Sequence, residues 1–102
     1  MIKFTALYPN NDGAVFDFDY YKSKHLPLTL SLLGGSVLRS ELDKGVSGAN
    51  GAPALYIAAG HLYFESVDAL RATFFPHLRR LREDIPNFTN VEPLIQVSEI
   101  IP

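Results

Sequence analysis

Three histidines hold most of the near-neutral acid–base capacity of this chain: His25 in "KHLPL", His61 in "GHLYF" and His77 in "FFPHL". Two of them keep company with a proline, since Pro27 follows His25 by two residues and Pro76 immediately precedes His77. At about 100° per residue, Phe18, Tyr21, His25, Leu28 and Leu32 fall within an arc of about 80° on one helix face. His25 therefore faces whatever that helix packs against, with Tyr21 beside it. Pro27 has no N–H for the Ser23 carbonyl and disfavours helical geometry at Leu26, which predicts a loosened helix next to His25 and a gap beneath it. An imidazole and a phenol in an apolar gap can move a proton on a carbonyl-containing or phenolic ligand without a cofactor. The same pattern also fits a core histidine satisfied by a backbone carbonyl or a tyrosine hydroxyl.

The remaining candidates are less specific. His77 falls on the flank of a Leu70–Phe74–Leu81 stripe, where a cap, a surface position and a ligand contact are all open to it. His61 is in strand register with Leu55, Ile57 and Ala59, and a structural role is expected for it. No HxH, HExxH or i, i+4 histidine pair is present, so no metal site is expected. Gly45, Gly48 and Gly51 are not followed by a helix start, so they do not make a phosphate loop. Arg79, Arg80 and Arg82 read as a solvated face balanced by the helix dipole and by Glu83 and Asp84.

The elements that must position these groups follow from periodicity. Ile2 to Tyr8 alternates as a strand and stops at "YPNNDG". Asp17 caps a helix from Phe18 to Gly34-Gly35, Ser36 to Lys44 reads as a second strand, and Ala54 to Phe64 as a third across the loop "GVSGANGAP". Ser66 caps a second helix starting at Val67 and running to "DIPN", and Glu92 to Ile101 closes the chain as a strand. The order β-α-β-β-α-β predicts a single α+β domain over residues 1–102, a ferredoxin-like four-stranded antiparallel sheet with both helices on one face. In the third strand Leu55, Ile57 and Ala59 oppose Tyr56, Ala58, Leu62 and Phe64, so both faces read as apolar. Two helices cover only one, and a homodimer through the open sheet face is expected to cover the other.

Composition narrows the class. The 102 residues suit one domain, and 47% hydrophobic against 20% charged is the balance of a globular protein. A net charge of −2 gives no footprint for nucleic acid. Without cysteine, thiolate nucleophiles, disulfides and Cys-based metal centres are excluded, which suits a reducing cytoplasm. The longest apolar stretch, Leu26 to Leu33, is broken by Pro27, Thr29 and Ser31, so no membrane segment is expected.

At "FDFDYYKSKHLPL" the chain resembles the EthD family of dimeric α+β barrel proteins, and "GHLYFESVDAL" with "FFPHLRRLREDIPNFTNVEPLIQVSEI" extends the likeness to about residues 2–101. The resemblance implies the dimeric barrel fold, and by position in the motif it places the family's characteristic histidines at His25 and His77. Phe75 is bulkier than the residue the resemblance leads one to expect before Pro76. Relatives with this barrel include cofactor-independent monooxygenases, polyketide cyclases and muconolactone-type isomerases, which use a pocket between sheet and helices. The expectation is a cytoplasmic pocket protein acting by proton transfer on a small aromatic, lactone or ketone compound. In it His25 is the general acid/base and Tyr21 its positioning partner, with Tyr8, Tyr56, Leu62, Phe74 and His77 as ligand contacts. The alternative is a non-catalytic binding or accessory protein using the same pocket.

Overall fold

A computed structural model describes residues 1–102. Strand β1 (Ile2–Pro9) leads into a helical stretch made of α1 (Phe18–Tyr20), a π-helical turn (Tyr21–His25) and α2 (Leu26–Leu33). Strands β2 (Arg39–Lys44) and β3 (Tyr56–Phe64) follow as a hairpin. The second helical stretch comprises α3 (Val67–Phe74), a 3-10 turn (Phe75–His77) and α4 (Leu78–Asp84), and β4 (Leu94–Glu99) ends the fold. The strands pair antiparallel in the order β2-β3-β1-β4, the α+β ferredoxin-like arrangement.

Local chemistry sets the helix boundaries. The Asp17 carboxylate accepts the Tyr20 N–H at 2.9 Å and the Ser66 hydroxyl accepts the Ala69 N–H at 3.1 Å, each satisfying a donor that a helix start leaves free. Gly34 ends the first stretch with φ 63°, a conformation that only glycine adopts without strain. Strands are shorter than their sequence patterns suggest: β2 begins at Arg39 rather than Ser36, because Gly34–Ser36 completes a 3-10 turn. Likewise β3 begins at Tyr56 and β4 spans Leu94–Glu99.

One face of the sheet carries the core. Leu62 and Phe64 of β3 pack with Leu33, Leu70, Phe74 and Leu81 from the helices, and a second cluster joins Ala6, Tyr8, Tyr21, Ala58 and Phe88. Fully buried side chains such as Phe64 and Leu70 each contribute about 1.5–3 kcal/mol by leaving water. Along this face the register sets Phe4 against Leu62 and Val97, and Ala6 against Gly60 and Ile95. Ala6 and Gly60 thus leave a shallow spot in the middle of the sheet beneath the helices.

The opposite face is more polar than the strand pattern suggests. Leu7, Ala59 and Leu94 are apolar, but Thr5 and Asp43 hold the two His61 nitrogens at 3.2 and 2.8 Å, and the Tyr63 hydroxyl donates to Glu41 at 2.6 Å. From Ala58 to Phe64 the alternation of β3 is as read, and it breaks at Ile57, where the register with β1 shifts; β1 and β2 supply the polar groups around it. No helix is long and apolar enough to cross a membrane.

Candidate functional site

The π-helical turn is where sequence and site meet. The Leu26 N–H bonds the Tyr21 carbonyl, five residues back instead of four. In a regular α-helix the Pro27 ring would press on the Ser23 carbonyl; the wider turn relieves that clash and leaves the carbonyl free of a missing donor. This is the loosening that Pro27 predicts. Both ends of the turn, Tyr21 and His25, are buried, with their rings 5.1 Å apart.

His25 is held from the other helical stretch. Its Nδ1–H donates to Asp84 Oδ2 at 2.9 Å, while Asp84 Oδ1 accepts from the Tyr20 hydroxyl at 2.8 Å and from Asn87 Nδ2 at 3.0 Å. Burial alone would raise the Asp84 carboxyl, but the hydrogen bonds from Asn87, His25 and Tyr20 outweigh it and hold the group below the usual carboxylate range. An ionised Asp84 requires Nδ1 to carry the proton, which leaves the lone pair of neutral His25 on Nε2. Burial pushes the imidazole pKa down, and the Asp84 hydrogen bond and charge only partly offset it, so His25 is uncharged at neutral pH.

Between the sheet face and the helices lies a cavity of about 440 Å³, within the range of small-molecule sites. Ala6 and Gly60 form its thinly covered floor, His25, Tyr21 and Thr29 one wall, Phe74 and Leu81 another. Its mouth carries the exposed Phe75 and Leu78 and the Arg82–Glu92 ion pair at 3.5 Å. No buried side-chain nitrogen or oxygen lacks a partner. Since His25 Nε2 and the hydroxyls of Tyr8 and Tyr21 have none within the protein, these three atoms must open onto the cavity that their residues line. Burial raises the Tyr21 phenol to about 12 and raises Tyr8 further, so both hydroxyls stay protonated.

The structure brings together His25, Tyr21, Tyr8, Leu62 and Phe74 around this space and leaves two expected residues out. Tyr56 faces a shallow surface depression near Lys44 and Leu55, because the pairing of β1 with β3 shifts between Tyr8 and Pro9 and carries Tyr56 past the cavity's end. His77 is half-buried outside the cavity: the tight 3-10 turn at Pro76 keeps Phe75 and Leu78 at the mouth and turns His77 off that face. Phe75 sits at the entrance, 56% exposed, and does not fill the interior.

Sequence reasoning missed Asp84, Tyr20 and Gly60. Of the two acids expected to balance the arginines, only Glu83 pairs there, with Arg79 at 3.2 Å; Asp84 is buried against His25. Its spacing three residues beyond Leu81 places it on the buried helix face, and that signal was present in the sequence.

Comparisons with known proteins identify the family and the fold. Residues 15–92 match the EthD domain model. A crystal structure of an EthD-like protein from Ralstonia eutropha JMP134 is similar at 32% identity and TM-score 0.91, covering 99% of this chain and 92% of that one. An ethyl tert-butyl ether D (EthD) family protein from Bacillus halodurans C-125 shares the fold at 17% identity and TM-score 0.73, over 99% of both chains. A dimeric ferredoxin-like protein of unknown function from Thermobifida fusca YX does so at 18% identity and TM-score 0.58, over 97% of this chain and 90% of that one. No curated protein matches the sequence.

Proposed function

The chain belongs to the EthD family, and from that premise we propose that it is a cofactor-independent acid–base catalyst for a small aromatic, lactone or ketone compound. The observation that carries this reading is the 2.9 Å bond from His25 Nδ1 to Asp84, which fixes the tautomer and turns a basic Nε2 toward an apolar cavity. His25 takes a proton from an acidic C–H or O–H of the ligand. Asp84 compensates the imidazolium that forms, and return of the proton to another atom gives isomerisation or accompanies ring closure. The apolar walls, Leu62 and Phe74 among them, exclude water and so strengthen every charge interaction inside.

The working unit is proposed to be a homodimer, as the dimeric neighbour of the same fold suggests, and the open sheet face is proposed as its interface. The apolar Leu7, Ala59 and Leu94 would meet their counterparts there, ringed by the His61 and Tyr63 hydrogen bonds.

A ligand screen over lactones, cyclic ketones and phenols, followed by turnover of the binders, tests the reading. Turnover is expected to fall about 100-fold or more in His25→Gln while ligand binding survives. Equal turnover in that variant removes the catalytic role. Binding without turnover across all these classes supports an accessory binding protein instead.

A further inference from the structure

Tyr8 and Tyr21 are 2% and 7% exposed, both line the cavity, and their hydroxyls, without a protein partner, are left to whatever occupies it. Their rings flank the same pair of side chains: Phe16 lies 5.0 Å from Tyr8 and 5.6 Å from Tyr21, and Phe88 lies 5.9 Å and 5.2 Å from them. Ionising Tyr21 disfavours ionising Tyr8, so the two groups sense one another. Gly60 makes the arrangement possible, since a Cβ at that position would lie 2.5 Å from the Tyr21 hydroxyl oxygen. Glycine weakens a strand interior, so its place in β3 is explained by this close approach.

We propose that Tyr8 and Tyr21 form an oxyanion clamp beside His25, and that the ligand class is therefore neutral oxygen and carbon acids, phenols and enolisable ketones, held as the phenolate or enolate. The inference rests on His25 as the proton acceptor. The ligand enters neutral, its O–H or α-C–H bond breaks, the proton passes to His25 Nε2, and the electron pair stays on the ligand with its charge on the oxygen facing the two hydroxyls. The net charge of the cavity does not change. A carboxylate would instead carry a full negative charge into an apolar space already beside Asp84, with no cation at the inner end to meet it. Two hydroxyl donors that need no reorganisation favour an oxyanion over a neutral carbonyl.

The test uses 4-nitrophenol, whose visible absorbance reports the phenolate, with nitrobenzene and 4-nitrobenzoate as the neutral and carboxylate controls. At a pH where the free phenol is mostly neutral, bound 4-nitrophenol is expected to show the phenolate band and to bind about tenfold or more tightly than either control. Tyr8→Phe and Tyr21→Phe, which keep the ring packing, each weaken 4-nitrophenol about tenfold and leave nitrobenzene unchanged. Gly60→Ala reproduces Tyr21→Phe. Binding as the neutral phenol, 4-nitrophenol affinity unchanged from the parent in both phenylalanine variants, or a preference for 4-nitrobenzoate overturns the clamp. A phenolate band that persists in His25→Gln overturns His25 as acceptor while the tyrosine dependence still stands, so the two readings fail separately. If nitrobenzene and 4-nitrophenol both fail to bind, the cavity is not a ligand site and the clamp falls with it.

Discussion

Asp84 and His25 lie 59 residues apart in the chain and meet at 2.9 Å, joining the end of the second helical stretch to the middle of the first, both side chains nearly out of contact with solvent. The carboxylate is the single acceptor shared by His25, Tyr20 and Asn87. It fixes the imidazole tautomer, ties the helices together and leaves Nε2 to the cavity.

Removing that acceptor is expected to cost both stability and protonation control. Asp84→Ala strands the donors of His25, Tyr20 and Asn87 and lowers unfolding free energy by about 3–5 kcal/mol in denaturant titration. Asp84→Asn keeps the shape but not the charge. Nitrogen NMR of the His25 ring is expected to show the Nδ1-protonated form in the parent protein and a mixture of tautomers in this variant; an unchanged spectrum would mean that Asp84 does not set the tautomer.

Acid should weaken the fold through the same pair. Because burial lowers the His25 pKa below its ordinary value of 6.5, the folded state binds fewer protons than the unfolded chain, and its contribution is complete above pH 6.5 and lost as pH falls through the lowered value. Asp84, also lowered, loses its contribution below the ordinary 3.8 as pH falls through its own folded value. The melting temperature of the parent protein should therefore drop on acidification from neutrality, and the first part of that drop should be absent from His25→Gln. Any turnover dependent on neutral His25 should rise with pH through the lowered value and then level off.

Pro27→Ala restores a donor for the Ser23 carbonyl and removes the ring that widens the turn. The helix is expected to relax toward regular α geometry, with a melting temperature equal to or above that of the parent and a weaker grip on any cavity ligand. Unaltered ligand affinity together with loss of the π-helical turn in a structure of the variant would show that the turn does not position the site.

Core and mouth should respond differently to truncation. Leu70→Ala, at a side chain 1% exposed, is expected to cost about 2–5 kcal/mol. Phe75→Ala at the entrance should change stability by less than about 0.5 kcal/mol while altering ligand exchange rates. Comparable losses from the two would place Phe75 in the core.

Dimerisation through the open face predicts a doubled mass by light scattering at micromolar protein. Leu7→Arg, placed opposite Ala59 and Leu94 in the middle of that face, should yield monomers that keep the fold by circular dichroism. A monomeric parent protein would remove this part of the proposal.

Much of this was legible in the sequence because it is local. Period-2 alternation in Ile2–Tyr8, the caps at Asp17 and Ser66 and the glycine stop at Gly34 each act within a few residues, and together they dictated the element order and hence the ferredoxin-like sheet. Pro27 likewise announced a loosened helix beside His25, since a missing N–H has its effect one turn away. A gap beneath His25 was legible from Pro27, but the floor and extent of the cavity were not. The cavity exists because Ala6 and Gly60, from strands far apart in sequence, fall side by side in the register, and because Asp84 swings in from the end of the second helical stretch. Tyr56 and His77 were misplaced for the same reason, as a one-residue register shift and a tight turn redirect side chains that periodicity alone puts on the apolar face. The sequence by itself determined which residues could exchange a proton; the packing of helix ends over a bare patch of sheet decided which of them share a space.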